Sequence, residues 1–307
     1  MKKSKKEKID LSIIILNYNS GEFLENCLNS VFSSEKNGFN YEVIVVDNAS
    51  TDNSIKKIEK FKFKGLIIIK NKKNLGFSAG NNIGVKKAKG RYLLFLNPDT
   101  LVKKNTFKEM IKFMDDHPEV GVATCRVELP NGKMDEACHR GFPTPWNAFC
   151  HFSGLEKLFP KSRIFSGYIL GWKPLNEAHE IDAGAGAFLI VRREAGEKIN
   201  WWDEDYFWYG EDLDFCYRIK KLGWKIYYFP KVKIIHFKGI TSGIRKESQK
   251  ISLANKETKI KAIKASTSAM RIFYRKHYLN KYPRFITWLV LKGIDILEKI
   301  RLKKLSI

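Results

Sequence analysis

Tyr92-Leu93-Leu94-Phe95-Leu96-Asn97-Pro98-Asp99-Thr100 is the stretch whose reading decides how this chain folds. Large apolar residues run without polar alternation and stop at a proline turn that carries an Asn and an Asp. Such a run suits a strand buried on both faces of a sheet. Pro98 has no amide hydrogen to give to a ladder, so the strand stops there. Asp99 then lies just past the carboxyl end of a buried strand, the edge on which open α/β sheets bind ligands. A carboxylate at that edge can hold a divalent cation and, through it, a diphosphate. Asp99 or Thr100 can equally cap a following helix, because residues 103–116 read as helical. The stretch alone supports both readings.

The flanking sequence repeats the pattern. Residues 11–16, 41–46 and 66–69 are further short apolar runs, ending near Asn17-Tyr18-Asn19, at Asp47 and before Asn74-Leu75-Gly76. Amphipathic or capped helical segments separate them: Phe23, Leu24, Cys27, Leu28 and Val31 share one helical face, and Thr51 or Asp52 caps a helix through Ile58. Alternating strands and helices predict an α/β fold with a doubly wound parallel sheet. Right-handed crossovers then bring Tyr18, Asp47, Asn74 and Asp99 to one edge. Residues 120–127 read as another strand, and 129–180 as irregular loop and short helices, where specificity usually resides. The small residues Asp182 to Ala187 lead into apolar residues 188–191. They lack the spacing of a dinucleotide fingerprint.

A second dense stretch is Trp201-Trp202-Asp203-Glu204-Asp205-Tyr206-Phe207-Trp208-Tyr209-Gly210-Glu211-Asp212-Leu213-Asp214. Flat rings beside carboxylates suit a sugar, the rings stacking on a pyranose and the acids accepting from its hydroxyls. A helix from Glu211 to Leu222 places Glu211 and Asp212 in its first turn, where they could also simply answer the helix dipole. Residues 225–229 and 232–235 read as two strands ending at His236. A lone histidine is more often structural, but this one follows a strand and precedes a glycine-containing loop.

The chain has 307 residues and a net charge of +23. Residues 238–307 hold 18 Lys or Arg against 4 Asp or Glu, and Lys2, Lys3, Lys5, Lys6 and Lys8 make a basic start. A positive surface points to an anionic partner: nucleic acid, acidic lipid or a phosphorylated ligand. Residues 263–274 read as helical, and 285–297 form a basic, Trp288-bearing amphipathic stretch too short to span a bilayer. It suits a membrane interface or a helix packed on the core equally well. Five cysteines without C-x-x-C spacing indicate neither a disulfide framework nor a zinc site and point to a reducing cytosol. The charged beginning does not read as a signal peptide.

These stretches together resemble inverting, family-2 glycosyltransferases of the GT-A fold, and more narrowly the rhamnosyltransferase-like branch that builds bacterial surface polysaccharides. The matching pieces are Leu16-Asn17-Tyr18-Asn19, Val46 to Asp52, Asn74 to Gly84, Leu96 to Thr100, Gly186-Ala187 and Tyr209 to Asp214. The resemblance implies a doubly wound, mostly parallel GT-A sheet over 1–240, with a nucleotide-sugar half (1–127) and an acceptor half (128–240). A basic helical tail (241–307) follows. It implies that Tyr18 and Asn19 lie along the nucleoside, that Asp47 accepts from the imide of uracil or thymine, and that Asn74 and Gly76 sit by ribose and base. Asn97 and Asn81 belong to the same donor group. Asn97 replaces the first acid of the family's D-x-D motif, and Asn81 stands where many members have Arg. Asp99 and His236 would hold Mn2+ or Mg2+. Asp212 matches the catalytic base, with Glu211 as the second candidate, and Asp182, Gly186, Trp202 and Asp203 would border the acceptor.

The implied reaction moves a sugar from a dTDP- or UDP-linked donor, dTDP-rhamnose among them, to a hydroxyl of a glycan or polyprenyl-diphosphate-linked glycan. The implied setting is cytoplasmic, peripheral on the inner face of the plasma membrane, with the tail on an anionic surface. The alternatives are a basic nucleic-acid-binding protein and a catalytically inactive scaffold. The first leaves Asn97-Pro98-Asp99 and Glu211-Asp212 without a purpose, so no nucleic acid is expected. The second is disfavoured by the presence of both acids. A sugar-nucleotide pyrophosphorylase would want a glycine-rich loop after the first strand, and Asn17-Tyr18-Asn19-Ser20-Gly21 is not one.

Overall fold

The structure is a computed structural model that describes residues 8–305 apart from 36, 60–62, 64 and 240–253. Lys2 to Lys6, the 240/241 boundary and part of the polar stretch before the late helices lie outside the described residues.

Four apolar runs set the frame. β1 (Leu11–Asn17), β2 (Tyr41–Asp47), β3 (Leu66–Lys70) and β4 (Tyr92–Leu96) pair in parallel. Between them lie α1 (Phe23–Phe32), α2 (Ser54–Glu59) and α3 (Gly76–Val85). β4 is buried along its whole length, as its unbroken apolar run demands. α3 lies very close to the sheet because its inner face is glycine: a Cβ at Gly80 would meet Leu16 Cδ1 at 2.5 Å, and one at Gly84 would meet Ile14 Cγ2 at 2.6 Å. That close approach lowers the N-terminus of α3 toward the strand ends.

Beyond β4 come β5 (Thr100–Leu101), α4 (Thr106–Asp116), β6 (Val120–Glu128), α5 (Pro145–Ser153), α6 (Leu155–Leu158) and β7 (His179–Glu180). They are followed by β8 (Phe188–Arg192), α7 (Arg193–Lys198), α8 (Glu211–Lys221), β9 (Lys225–His236), α9 (Lys256–His277) and α10 (Arg284–Lys303). All nine strands form one sheet, ordered β3-β2-β1-β4-β8-β6-β9-β5, with β7 on β9. The sheet is mixed rather than wholly parallel. β8 runs antiparallel to both β4 and β6, because it returns from the long 129–187 excursion instead of a helical crossover.

Two details differ from the sequence reading. Thr100 does not open a helix. It forms β5, antiparallel to the end of β9, with Thr100 opposite His236. Residues 225–235 are one strand rather than two: its register on β6 slips around Pro230, from Phe229 opposite Cys125 to Lys233 opposite Arg126. The late helices extend beyond the expected bounds and pack on the core. Ala269, Phe273, Tyr274 and Tyr278 are buried with Tyr206, and Phe142, Tyr209, Leu213 and Tyr217 pack against that cluster.

Candidate active site

The strand ends meet at one edge because parallel registers align them. Asn17 lies opposite Asp47, and the Asn97 amide donates to the Ala187 carbonyl at 3.1 Å. So the edge gathers the ends of β1, β2 and β4 with the turn entering β8.

The first corner, at the ends of β1 and β2, is a tight amide and hydroxyl network. Asp47 Oδ1 accepts from Asn17 Nδ2 at 2.9 Å and from Ser50 Oγ at 2.6 Å. Asn19, in the left-handed region at φ 48°, accepts at Oδ1 from the Thr51 amide at 2.8 Å. Asn74 Oδ1 accepts from Asn48 Nδ2 at 3.1 Å and from the Gly76 amide at 2.9 Å. Gly76 has φ +83°, and a Cβ there would lie 2.6 Å from the Phe207 carbonyl oxygen, so only glycine lets the 207 loop close over α3. Tyr18 is exposed beside this network. Asn81 is buried, and its Nδ2 donates to Phe77 O within the same helix at 3.0 Å. That bond braces the first turns of α3.

The second corner is Asn97, Asp99 and His236. β5–β9 pairing brings His236 Nε2 to 3.3 Å from Asp99 Oδ1 and 3.4 Å from Asn97 Nδ2. On the other side of the ring, Nδ1 lies 3.3 Å from Asp135 Oδ2, and Lys238 pairs with the other oxygen of Asp135. Burial alone would depress the imidazole, but the carboxylates of Asp99 and Asp135 hold its pKa up at about 9. Asp135 is buried yet kept well below the usual carboxylate range by His236 and Lys238.

This arrangement fits a divalent cation. A carboxylate behind Nδ1 fixes the tautomer and leaves Nε2 for a metal beside Asp99, the second-shell pattern of metal-binding histidines. A cation would take the place of the shared proton. Two protein ligands are few: among the described residues no three His, Cys, Asp or Glu side chains gather as a cage. That is the pattern of cations completed by substrate phosphates and water.

The third corner is the first turn of α8. Asp212 Oδ2 accepts from Arg140 Nη2 at 2.7 Å and lies 3.4 Å from the Gly186 amide, while Oδ1 accepts from the Leu213 amide at 2.8 Å. Arg140 Nη2 also donates to the Gly184 carbonyl at 2.6 Å. The buried guanidinium is held charged against its burial by Asp212. Glu211 is different. It is buried, its Oε2 has no hydrogen-bond partner among the described residues, and burial next to Asp212 pushes its pKa up to about 8. Two adjacent acids thus stand in unlike surroundings, Asp212 bonded to a guanidinium and two backbone amides and Glu211 buried with one oxygen unpartnered among the described residues.

The acceptor border is only partly as expected. Asp182 Oδ1 accepts from Lys220 Nζ at 2.7 Å and Oδ2 from the Phe142 amide at 3.2 Å. Gly186 sits under Phe77, 3.0 Å from its ring to a built Cβ, with its amide toward Asp212. Trp202 is a correction: its ring is 2 % exposed, wedged between Phe95 at 4.8 Å and Phe215 at 4.5 Å, so it is core rather than a sugar platform. A buried indole between two rings contributes more by packing than any exposed face could. Asp203 is engaged by Lys276 of α9. The exposed ring of that stretch is Phe207, beside the stacked pair Trp208–Tyr209 at 4.9 Å.

Sequence reasoning missed Arg140, Asp135 and the clamp from α9. His277 Nε2 lies 2.7 Å from Asp214 Oδ1, and Arg218 Nε donates to Asp214 Oδ2 at 2.6 Å. Arg140 lies 72 residues from its partner, and nothing in its local pattern marks it.

Comparison with known proteins gives this arrangement a place. Residues 12–172 match the family model described as Glycosyl transferase family 2. The chain is similar to rhamnosyltransferase WbbL of Escherichia coli (strain K12), 27% identical over 234 residues that cover 73% of this chain and 82% of that protein. It is also similar to the poly(ribitol-phosphate) beta-N-acetylglucosaminyltransferase TarS of Staphylococcus aureus (strain Mu50 / ATCC 700699), 31% identical over 34% of this chain but only 19% of the relative. Among solved structures, S. aureus TarS 1-349 in complex with UDP-GlcNAc superposes with TM-score 0.54 at 18% identity, over 97% of this chain and 90% of that one. Mannosyltransferase PcManGT from Pyrobaculum calidifontis, in complex with GDP-Man and Mn2+, does so with TM-score 0.56 at 17% identity, over 97% and 88%. At such identities the structures speak for the shared fold. The family match, with the α/β sheet and its GT-A neighbours, establishes that this chain belongs to glycosyl transferase family 2.

Proposed function

We propose that the protein is an inverting, metal-dependent hexosyltransferase that moves a sugar from a dTDP- or UDP-linked donor, dTDP-rhamnose among them, to a glycan or polyprenyl-diphosphate-linked glycan hydroxyl. The observation that carries this reading is the unlike pair at the start of α8. General-base catalysis needs an ionised carboxylate. Asp212 is the member paired with a cation, Arg140 at 2.7 Å, while Glu211 is buried and its pKa is raised by that burial. That selects Asp212 as the base that takes the acceptor's proton as the hydroxyl oxygen attacks the anomeric carbon. The bond to the diphosphate breaks on the opposite face, so configuration inverts and no covalent enzyme intermediate is needed. Arg140 and the Gly186 amide hold Asp212 in place.

Tyr18, Asn19, Asp47, Asn74, Gly76 and Asn97 form the donor side of the edge. Asp99 and His236 would hold Mn2+ or Mg2+, which when bound stabilises charge on the departing diphosphate. Asp182 and Gly186 border the acceptor. Residues 1–127 serve as the donor half and 128–240 as the acceptor half, with the basic tail bringing the enzyme to an anionic membrane surface on the cytoplasmic side.

The test is release of free nucleoside diphosphate from a panel of UDP-, dTDP- and GDP-sugars with manganese or magnesium, with a lipid-linked acceptor extract, EDTA controls and Asp212→Asn alongside. One donor turning over in a metal- and Asp212-dependent way is the expected result. Turnover by Asp212→Asn at the parent rate would overturn the assignment of the base.

A further inference from the structure

Large apolar side chains exposed to solvent are not scattered over this molecule. Six lie between Trp146 and Ile164, namely Trp146, Phe149, Phe152, Leu158, Phe159 and Ile164, and five more lie on α10. Isolated exposed apolar residues need no explanation, but clusters mark contact surfaces.

The first cluster is built rather than loose. Trp146 Nε1 donates to the Ile164 carbonyl at 2.9 Å, closing the α5–α6 segment into a loop. The Trp146 ring packs 5.7 Å from Phe149 and 6.2 Å from Phe165, and Phe159 packs 5.1 Å from Phe165. Gly154, at φ +85°, turns the chain from α5 into α6. The exposed charge around these rings is of one sign. Lys157, Lys161 and Arg163 are exposed, while the segment's acid, Glu156, is buried and bonded to His151 at 2.6 Å.

The second cluster has the same chemistry. Phe285, Trp288, Leu289, Ile296 and Ile300 of α10 are exposed. Their helical spacing places them on one stripe with the exposed Lys292, Lys299 and Lys303. The opposite side of α10 is used internally, through Ile294 and through Asp295 and Glu298, which bind Arg271 of α9. The two clusters share a brace. Phe142, two residues before the Thr144 cap of α5, packs 5.0 Å from Tyr217 and joins the buried cluster that also receives Val290 and Leu291 of α10. The Phe142 amide donates to Asp182.

We infer that the α5–α6 aromatic loop is a lipid-docking surface that seats the enzyme on an anionic bilayer, with the outer stripe of α10 as its second contact. This inference rests on the membrane part of the proposed function and not on its chemistry. Aromatic rings with interspersed lysines suit the headgroup region, where rings enter the interface and cations meet anionic lipid. Among the described residues no helix is long and apolar enough to cross a membrane, so this is interfacial contact. A second copy of the chain is a poorer occupant. Pairing of a face with itself would set Lys157, Lys161 and Arg163 against their own copies. Two cations of α9 are engaged within the fold, Lys276 by Asp203 and Asp205 and Arg271 by α10.

The experiment is co-sedimentation of the full chain with phosphatidylcholine vesicles, with or without phosphatidylglycerol. The parent is compared with Phe149→Ser/Phe152→Ser/Leu158→Ser and with Trp288→Ser/Leu289→Ser. The parent binds only the anionic vesicles, and the binding falls with salt. The triple variant loses at least tenfold in partitioning and the double variant loses less, with unchanged thermal unfolding and unchanged nucleotide binding by calorimetry. A triple variant that sediments like the parent overturns the inference. So does light scattering that shows a dimeric parent and a monomeric triple variant, since the face would then join two copies. A parent that binds vesicles but no nucleoside diphosphate refutes the transferase chemistry and leaves the docking surface standing.

Discussion

The two edges that we assign to donor and acceptor are held together in different ways. On the donor edge, short-range turns do the work: Ser50 and Asp47, Ser54 and Asp52, Asn74 and Gly76 bond within three residues of each other, and parallel registers bring the turns side by side. On the acceptor edge the contacts are long-range and charged. Arg140 reaches Asp212, Lys220 reaches Asp182, Lys276 reaches Asp203 and His277 reaches Asp214. Local turns at strand ends make a rigid cradle for a ligand bound in one pose. A buried ion pair such as Arg140–Asp212 fixes a carboxylate in place, and removing one partner leaves the other uncompensated. The difference predicts that donor-edge lesions act on binding and acceptor-edge lesions on turnover or stability.

Five substitutions test that contrast. Asp212→Asn should have the largest effect, a loss of about 10²–10⁴-fold in turnover with donor affinity retained, read by steady-state kinetics beside calorimetry. A parallel loss of donor binding would show that the two edges are not separable. Asp99→Ala should abolish the manganese-dependent part of nucleotide affinity, and Asp135→Asn, which leaves both ligands in place, should lower it by about 10-fold or more. Equal affinity with manganese and with EDTA in the parent would remove the metal from that corner.

His277→Ala should cost about 1–3 kcal/mol of folding stability in denaturant titration, because the fully buried Asp214 loses one of its two partners. An unchanged midpoint would mean that α9 is held by its apolar face alone. The smallest expected effect is that of Glu211→Gln on the pH dependence of stability. With a native pKa of about 8 against an ordinary glutamate value of 4.5, Glu211 keeps in the folded state a proton that the unfolded chain has already released. Stability therefore falls as pH rises between those values. The glutamine variant should flatten that slope, gaining about 1 kcal/mol or more at pH 8 relative to pH 5. Parallel curves for parent and variant would show that Glu211 ionises normally.

Much of the donor edge was legible without coordinates. Apolar runs at 11–16, 41–46, 66–69 and 92–96 became β1 to β4 with ends shifted by one residue at most, because a buried strand and the turn that ends it are written in consecutive residues. Asp99 and His236 could each be singled out, yet their meeting depends on β5, a two-residue strand with no periodicity to detect. Trp202 and Phe207 have the same local composition. One is buried between Phe95 and Phe215 and the other exposed, which the strand order decides.

By itself, then, the sequence determined the kind of fold and the places where its strands end, since these depend on short-range hydrophobic period, turn chemistry and residue type. Only the tertiary structure decided how the two adjacent acids differ in surroundings. Glu211 and Asp212 are neighbours of the same chemistry, and their difference comes from burial on one side and from a guanidinium 72 residues away on the other. It likewise decided that α9 clamps the acceptor loop while α10 turns its tryptophan outward. Both helices are basic and amphipathic, and which apolar face is covered depends on what lies beside it in space.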